Sequence, residues 1–172
     1  MNDTDLLLGL GPSPKPEYLY VSTEHSPVGW HRWNHAKAEP IRVEDPALTG
    51  YIVAVDTVEK EYKGAVNVKV NIHVSCGQRN YVIQSGLTTT FSKGVLGALC
   101  RLQPHHFRAP LTIAVTAGDE GKVVFGDVWN PANGQRIPFK DQPDDHHMNA
   151  LVEAVAARIA ARFESVPADG GE

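Results

Sequence analysis

The chain has 172 residues, a formal net charge of −4, 42% hydrophobic residues and two cysteines, a size that suits one ordinary domain with extra chain at both ends. Cys76 and Cys100 are too few for a disulfide framework and form no C-x-x-C pair for zinc or redox chemistry. The apolar run at 6–10 follows two aspartates and no basic residue and is too short for a secretory or membrane-spanning segment, so a soluble, cytoplasmic protein without membrane contact is expected.

Counted by region, the charge is −3 over residues 1–29, +4 over 30–140 and −5 over 141–172. A mildly basic middle between acidic ends is compatible with a phosphate-binding surface, and equally with a solvated surface of mixed sign. Residues 1–16, with Gly9, Gly11, Pro12, Pro14 and Pro16 among acids, read as a flexible lead-in. Tyr18-Leu19-Tyr20-Val21-Ser22 is strand-like and able to pair with a sheet edge.

The segment 25–35 concentrates Trp30, Trp33, His25, His31 and His35. Three readings compete for it. The indoles plug the open end of a small barrel, with Nε1–H donating to a backbone carbonyl; or Trp30, Arg32 and Trp33 offer flat surfaces for unpaired bases; or His31 and His35, four apart, share a helical face and hold a metal. Pro27, Gly29, Asn34 and Pro40 argue against a helix there and no acid stands at a ligand spacing, so neither a metal nor another cofactor is expected.

A first strand at 51–58 leads through a turn at Lys63-Gly64 to a second at 66–74, whose strict alternation is the period of a strand with one buried face. This places Val66, Val68, Val70, Ile72 and Val74 inside and Lys69, Asn71 and His73 outside. Tyr62 beside Lys63 in the intervening loop is either the pair that stacking and phosphate binding need or a turn aromatic folded back on the sheet. A turn containing Arg79 precedes a third strand at 81–85. Thr88-Thr89-Thr90 then caps a helix over 90–102, with Phe91, Val95, Leu96, Leu99 and Leu102 at helical spacing. Strands at 110–116 and 122–129, the last carrying Trp129, complete the set.

The paired histidines 105–106 and 146–147 are adjacent in sequence and do not chelate by themselves. Asp144 or Asp145 caps a final helix with Met148, Leu151, Val152, Val155, Ile159 and Phe163 on one face. That stripe has to be covered by the rest of the chain or by a partner; homo-oligomerisation through it is expected. Residues 165–172 read as a disordered tail.

Five strands with one helix between the third and fourth is the element order of the OB barrel. The expected fold is therefore mainly β: a five-stranded OB-like antiparallel barrel, with its Trp/His-rich extension, over 17–140 and an appended amphipathic helix over 141–164. On Thr49-Gly50-Tyr51-Ile52-Val53 opening strand one, the strand at 66–74, the helix at 90–102 and Val124-Phe125-Gly126-Asp127-Val128 as strand five, the chain resembles the OB-fold family of single-stranded nucleic-acid-binding proteins. The likeness covers about half of the chain. It implies binding of single-stranded DNA or RNA, as in replication and repair, by base stacking and phosphate contacts without strong sequence preference. Trp30, Arg32, Trp33, Tyr62, Lys63, Lys69, Asn71, His73, Arg79 and Trp129 are the candidate contacts.

The alternatives are a non-catalytic protein-interaction module built on the same barrel and, third, a metal-dependent hydrolase. Catalysis is not expected, because the sequence holds no nucleophile elbow, no H-E-x-x-H, no paired acids at catalytic spacing and no dinucleotide fingerprint. Only Asp56, Asp127 and His73 could meet across a barrel to serve it.

Overall fold

The computed structural model describes residues 15–25, 29–139 and 141–164. The expected lead-in, apart from its last two residues, and the expected tail lie outside them. The strands are β1 (Glu17–Ser22), β2 (Gly29–Asn34), β3 (Glu39–Arg42), β4 (Ala47–Tyr62), β5 (Ala65–Cys76), β6 (Arg79–Gly86), β7 (Leu111–Ala117), β8 (Val124–Asn130) and β9 (Gln135–Arg136). The helices are α1 (Thr90–Leu99) and α2 (Met148–Ala160). Among the described residues the strands form one mixed sheet in the order β3-β2-β1-β6-β5-β4-β7-β8-β9.

β4 is the spine, because its start pairs with β7 and its remainder with β5. The change of partner falls at Gly50, where a Cβ would stand 2.7 Å from each of Cys76 Sγ, Ser75 O and Val74 Cγ1. Only glycine lets the backbones approach that closely. Two residues later a bulge between Ile52 and Ala54 resets the faces of the strand. Lys63 and Gly64, both at positive φ, turn β4 into β5.

The sheet does not close into the expected five-stranded barrel. Successive antiparallel pairs from β6 through β5, β4 and β7 to β8 make β6 and β8 run in the same direction. Closure would therefore require a parallel β6–β8 pair. β1 takes that edge of β6 instead, pairing in parallel from Glu17↔Tyr81 to Tyr20↔Gln84. The strand-like 18–22 segment thus pairs with an edge, as its composition suggested, and in doing so displaces the seam.

The core lies on one side of this sheet. Leu19, Ile83, Ile72 and Val55 form one buried cross-strand row, continued by Val70, Val74, Ile113, Val128 and the α1 residues Phe91, Val95, Leu96 and Leu99. α1 is capped by Thr89, whose hydroxyl accepts from Ser92 N, and lies so close on β8 that a Cβ on Gly94 would meet the Gly126 carbonyl oxygen. It ends at Leu99 rather than at 102, where turn-type hydrogen bonds to Arg101 and Leu102 take over. Val66 is not inside: it is 65% exposed. β6 stops at Gly86 opposite Lys69, so β4 and β5 continue past it as a two-stranded ribbon, and Val68 is only half-buried.

α2 begins at Met148 after a 3-10 turn, Asp145–His147, so neither Asp144 nor Asp145 caps it directly. Its stripe is covered within the chain: Met148, Val152, Val155 and Ile159 are buried, and the helix packs against β4, α1 and the 3-10 turn Pro104–Arg108. That packing removes the premise for homo-oligomerisation through the helix, a face in need of cover. Of the expected stripe only Phe163 is strongly exposed, at 72%. In the Pro104–Arg108 turn His106 Nδ1 accepts from Gln103 N at 2.9 Å, a capping role for a histidine whose pKa is lowered by burial and then by His105. No helix among the described residues is long and apolar enough to cross a membrane.

Candidate nucleic-acid interface

Strand alternation sorts the side of β1, β6, β5 and β4 that faces away from the core. Tyr20, Gln84, Asn71 and Asp56 form one row across the four strands. Tyr18, Val82, His73 and Ala54 form the next. Lys69 stands opposite Val58, Lys60 opposite Asn67 and Tyr62 opposite Ala65, so this face runs out onto the projecting ribbon. In Glu59-Lys60-Glu61-Tyr62 the same alternation sends Lys60 and Tyr62 to the front and both glutamates, opposite Val68 and Val66, to the back. The ribbon carries lysine and tyrosine on one face and alternating glutamate and valine on the other, with Glu61 reaching the rim of the cavity that Lys60 and Tyr62 line.

The rings are accessible. Tyr62 is 59% and Tyr51 46% exposed, and Tyr18 and Tyr20 are half-buried, their rings stacked with centroids 5.7 Å apart. Lys60 Nζ lies 5.7 Å from the Tyr20 ring centre and Lys63 Nζ 5.1 Å from that of Tyr62. Lys60, Lys63 and Lys69 have no carboxylate within ion-pair distance among the described residues. Burial, and then the neighbouring Tyr18, raises the pKa of Tyr20, which keeps its ring neutral. A cavity of about 470 Å³ lies over this region, lined by Tyr20, Lys60, Tyr62, Asn67, Lys69 and Gln84 and also by the carboxylates Glu24 and Glu61. A second, of about 410 Å³, shares Lys69, Ser85 and Val21 with it and reaches Thr89 and Lys122. The first is the groove over the tyrosine face; the second lies beside it, toward the start of α1 and β8.

The middle of the face is held by hydrogen bonds. Asp56 Oδ2 and His73 Nε2 are 2.7 Å apart, Asn71 Nδ2 donates to Asp56 Oδ1 at 3.1 Å, and Gln84 Nε2 donates to Asn71 Oδ1 at 2.8 Å. Asn71, expected outside, is buried. It is on the expected face, but its neighbours in the row cover it. Asp56 and His73 do meet; Asp127 instead pairs with Arg136 at 2.7 Å on the other half of the sheet.

Of the ten candidates read from the sequence, Tyr62, Lys63, Lys69, Asn71 and His73 fall together on this face or the ribbon. Trp33, 39% exposed, alternates to the side of His31, which pairs with Tyr20, and so extends the face. Trp30 is corrected: it is 3% exposed and its Nε1 donates to Asp45 O at 2.9 Å, a core position with no barrel end to plug and no surface left for a base. Arg32 is tied to Glu17 at 2.8 Å on the side opposite the tyrosines. Arg79 lines the same cavity of about 240 Å³ as Trp30 and Arg32, away from the groove. Trp129, 36% exposed, sits on β8 between Thr112 and Arg136, outside the groove. The metal reading of His31 and His35 needed a helix, but β2 is extended to Asn34; no group of three metal-ligating side chains occurs among the described residues.

The residues sequence reasoning missed are Tyr18, Tyr20, Tyr51, Lys60 and Gln84. The alternation Tyr18-Leu19-Tyr20 carried a signal, because it commits both rings to one face. Comparison with family models, with curated proteins and with solved structures gave no match to this chain.

Proposed function

We propose that the protein binds single-stranded nucleic acid along the open face of β1, β6, β5 and β4, without catalysis. The observation that carries this reading is the sorting of tyrosines and carboxylate-free lysines onto one grooved face whose reverse is the apolar core. Phosphates need cations that are not already paired, and unpaired bases need flat rings within reach; the groove offers both. Tyrosine rings set in a sheet face can stack only on bases that are unpaired, which favours a single strand over a closed duplex. The strand order β6-β5-β4-β7-β8, with α1 between β6 and β7, supports the OB-like reading: it is the order of that barrel opened between its third and fifth strands, here with β1 at the opening.

The test is the salt dependence of binding in lysine variants. Each phosphate contact to a single strand contributes about 0.7 to the slope of log K against log salt concentration. Lys60→Ala and Lys69→Ala are each expected to lower the slope by about that amount, whereas Lys37→Ala, on the exposed turn after β2, leaves it unchanged. Slopes that are equal in all four proteins would remove the phosphate contacts from this face. A protein-interaction role for the same face is the alternative, and it would show binding that is insensitive to oligonucleotide competition.

A further inference from the structure

The hydrogen-bond row across the groove floor has a direction. The Asp56 carboxylate can only accept, so Asn71 must turn its amide N–H₂ toward it; Asn71 Oδ1 is then left to accept from Gln84 Nε2, as observed at 2.8 Å. The same logic leaves Gln84 Oε1 as the terminal acceptor of the row. It accepts from no group among the described residues, yet it is not a sealed, orphaned atom. Gln84 is 5% exposed, lines the groove and stands directly opposite Tyr20 in the β1–β6 register. A polar side chain this buried, held from one end by a carboxylate and open at the other, presents a fixed hydrogen-bonding edge and not an adaptable one.

We propose that Gln84 reads the nucleobase stacked on Tyr20, and that it selects a base offering an exocyclic amino group, such as adenine or cytosine, over thymine, which has none. The proposal rests on the single-strand reading above and makes one position of that site base-selective. An amino group can donate to Oε1 while its second proton faces solvent. Thymine offers only N3–H, flanked by two carbonyl oxygens that would approach Oε1 unfavourably. Asp56 and Asn71 act as positioning residues, since they fix which way the Gln84 amide faces. His73 orients Asp56 from its other oxygen.

The experiment measures the affinities of fluorescein-labelled oligo(dA), oligo(dC) and oligo(dT) for the full chain, for Gln84→Leu and for Asp56→Asn. The wild type is expected to bind oligo(dA) and oligo(dC) roughly fivefold more tightly than oligo(dT), the size of one net hydrogen bond. Gln84→Leu should bring the three together. Asp56→Asn, which is isosteric and on a half-exposed side chain, lets the row reverse so that Gln84 can present N–H₂; the preference should then shift toward oligo(dT), whose carbonyl oxygens accept. That reversal is not something a merely structural role would give. Equal binding of the three by the wild type, or a preference that survives in both variants, would overturn the base-reading role while leaving single-strand binding intact. Failure to bind any of the three would instead remove the proposed function itself.

Discussion

Tyr20→Ala is expected to weaken binding of a single-stranded oligonucleotide by roughly five- to a hundredfold, the loss that follows removal of one stacking ring worth ~1–3 kcal/mol. Lys60 Nζ lies over the ring, Tyr18 stacks against it and Gln84 stands opposite it in the register, so a base that takes the place of the ammonium on the ring keeps that cation at its edge. Tyr20→Phe keeps the flat surface and should retain most of the affinity. Because ring loss removes no phosphate contact, the salt slope should stay that of the wild type, which separates this variant from Lys60→Ala. Tyr62→Ala should behave alike. Trp30→Phe is the informative contrast: it removes the bond to Asp45 O from a buried indole, so stability should fall while affinity, measured on the folded protein, holds. Full affinity in Tyr20→Ala would place the bases elsewhere.

The second large effect concerns α2. Val155 is fully buried among α2, β4 and α1 neighbours, and an aspartate there would have neither solvent nor a partner. Burying an unpaired charge costs about 3–5 kcal/mol, a large part of the ~5–15 kcal/mol that holds a typical domain together. Val155→Asp is therefore expected to shift the urea unfolding midpoint sharply downward or to abolish cooperative folding. Were the helix an association surface, the variant would remain as stable as the wild type and sediment with a smaller mass. That outcome would contradict the intramolecular packing of the stripe.

The local period of the chain carried the elements well. The nine-residue alternation at 66–74 made β5 legible, and the threonine cap with Phe91, Val95 and Leu99 made α1 legible, because both depend on neighbours in sequence. Which edges pair is a different matter. Nothing in Tyr18-Leu19-Tyr20 states that it runs parallel to β6 and so occupies the edge a closing strand would need. Val66 obeyed the alternation and still lies in solvent, since periodicity assigns a face but not whether anything covers it. The site was legible to the same degree. Tyr62, Lys69, Asn71 and His73 share a face by counting alone. The row from Tyr20 through Gln84 and Asn71 to Asp56 depends on the registers of three strand pairs, each set by distant chain. Trp30 and Trp33 looked equivalent in sequence, and alternation on β2 sent one into the core and the other to the surface.

The most direct test is anisotropy of a fluorescein-labelled oligonucleotide of about 16 nucleotides, titrated with the protein at about 50 and 200 mM salt, and repeated with the same sequence as a duplex. A label on the ligand is preferable to intrinsic tryptophan emission, since Trp30 is buried away from the groove. The single strand should bind saturably, more weakly at the higher salt, and unlabelled single strand should displace it where duplex does not. No change in anisotropy at the lower salt, or equal binding of strand and duplex, would contradict a face built for unpaired bases.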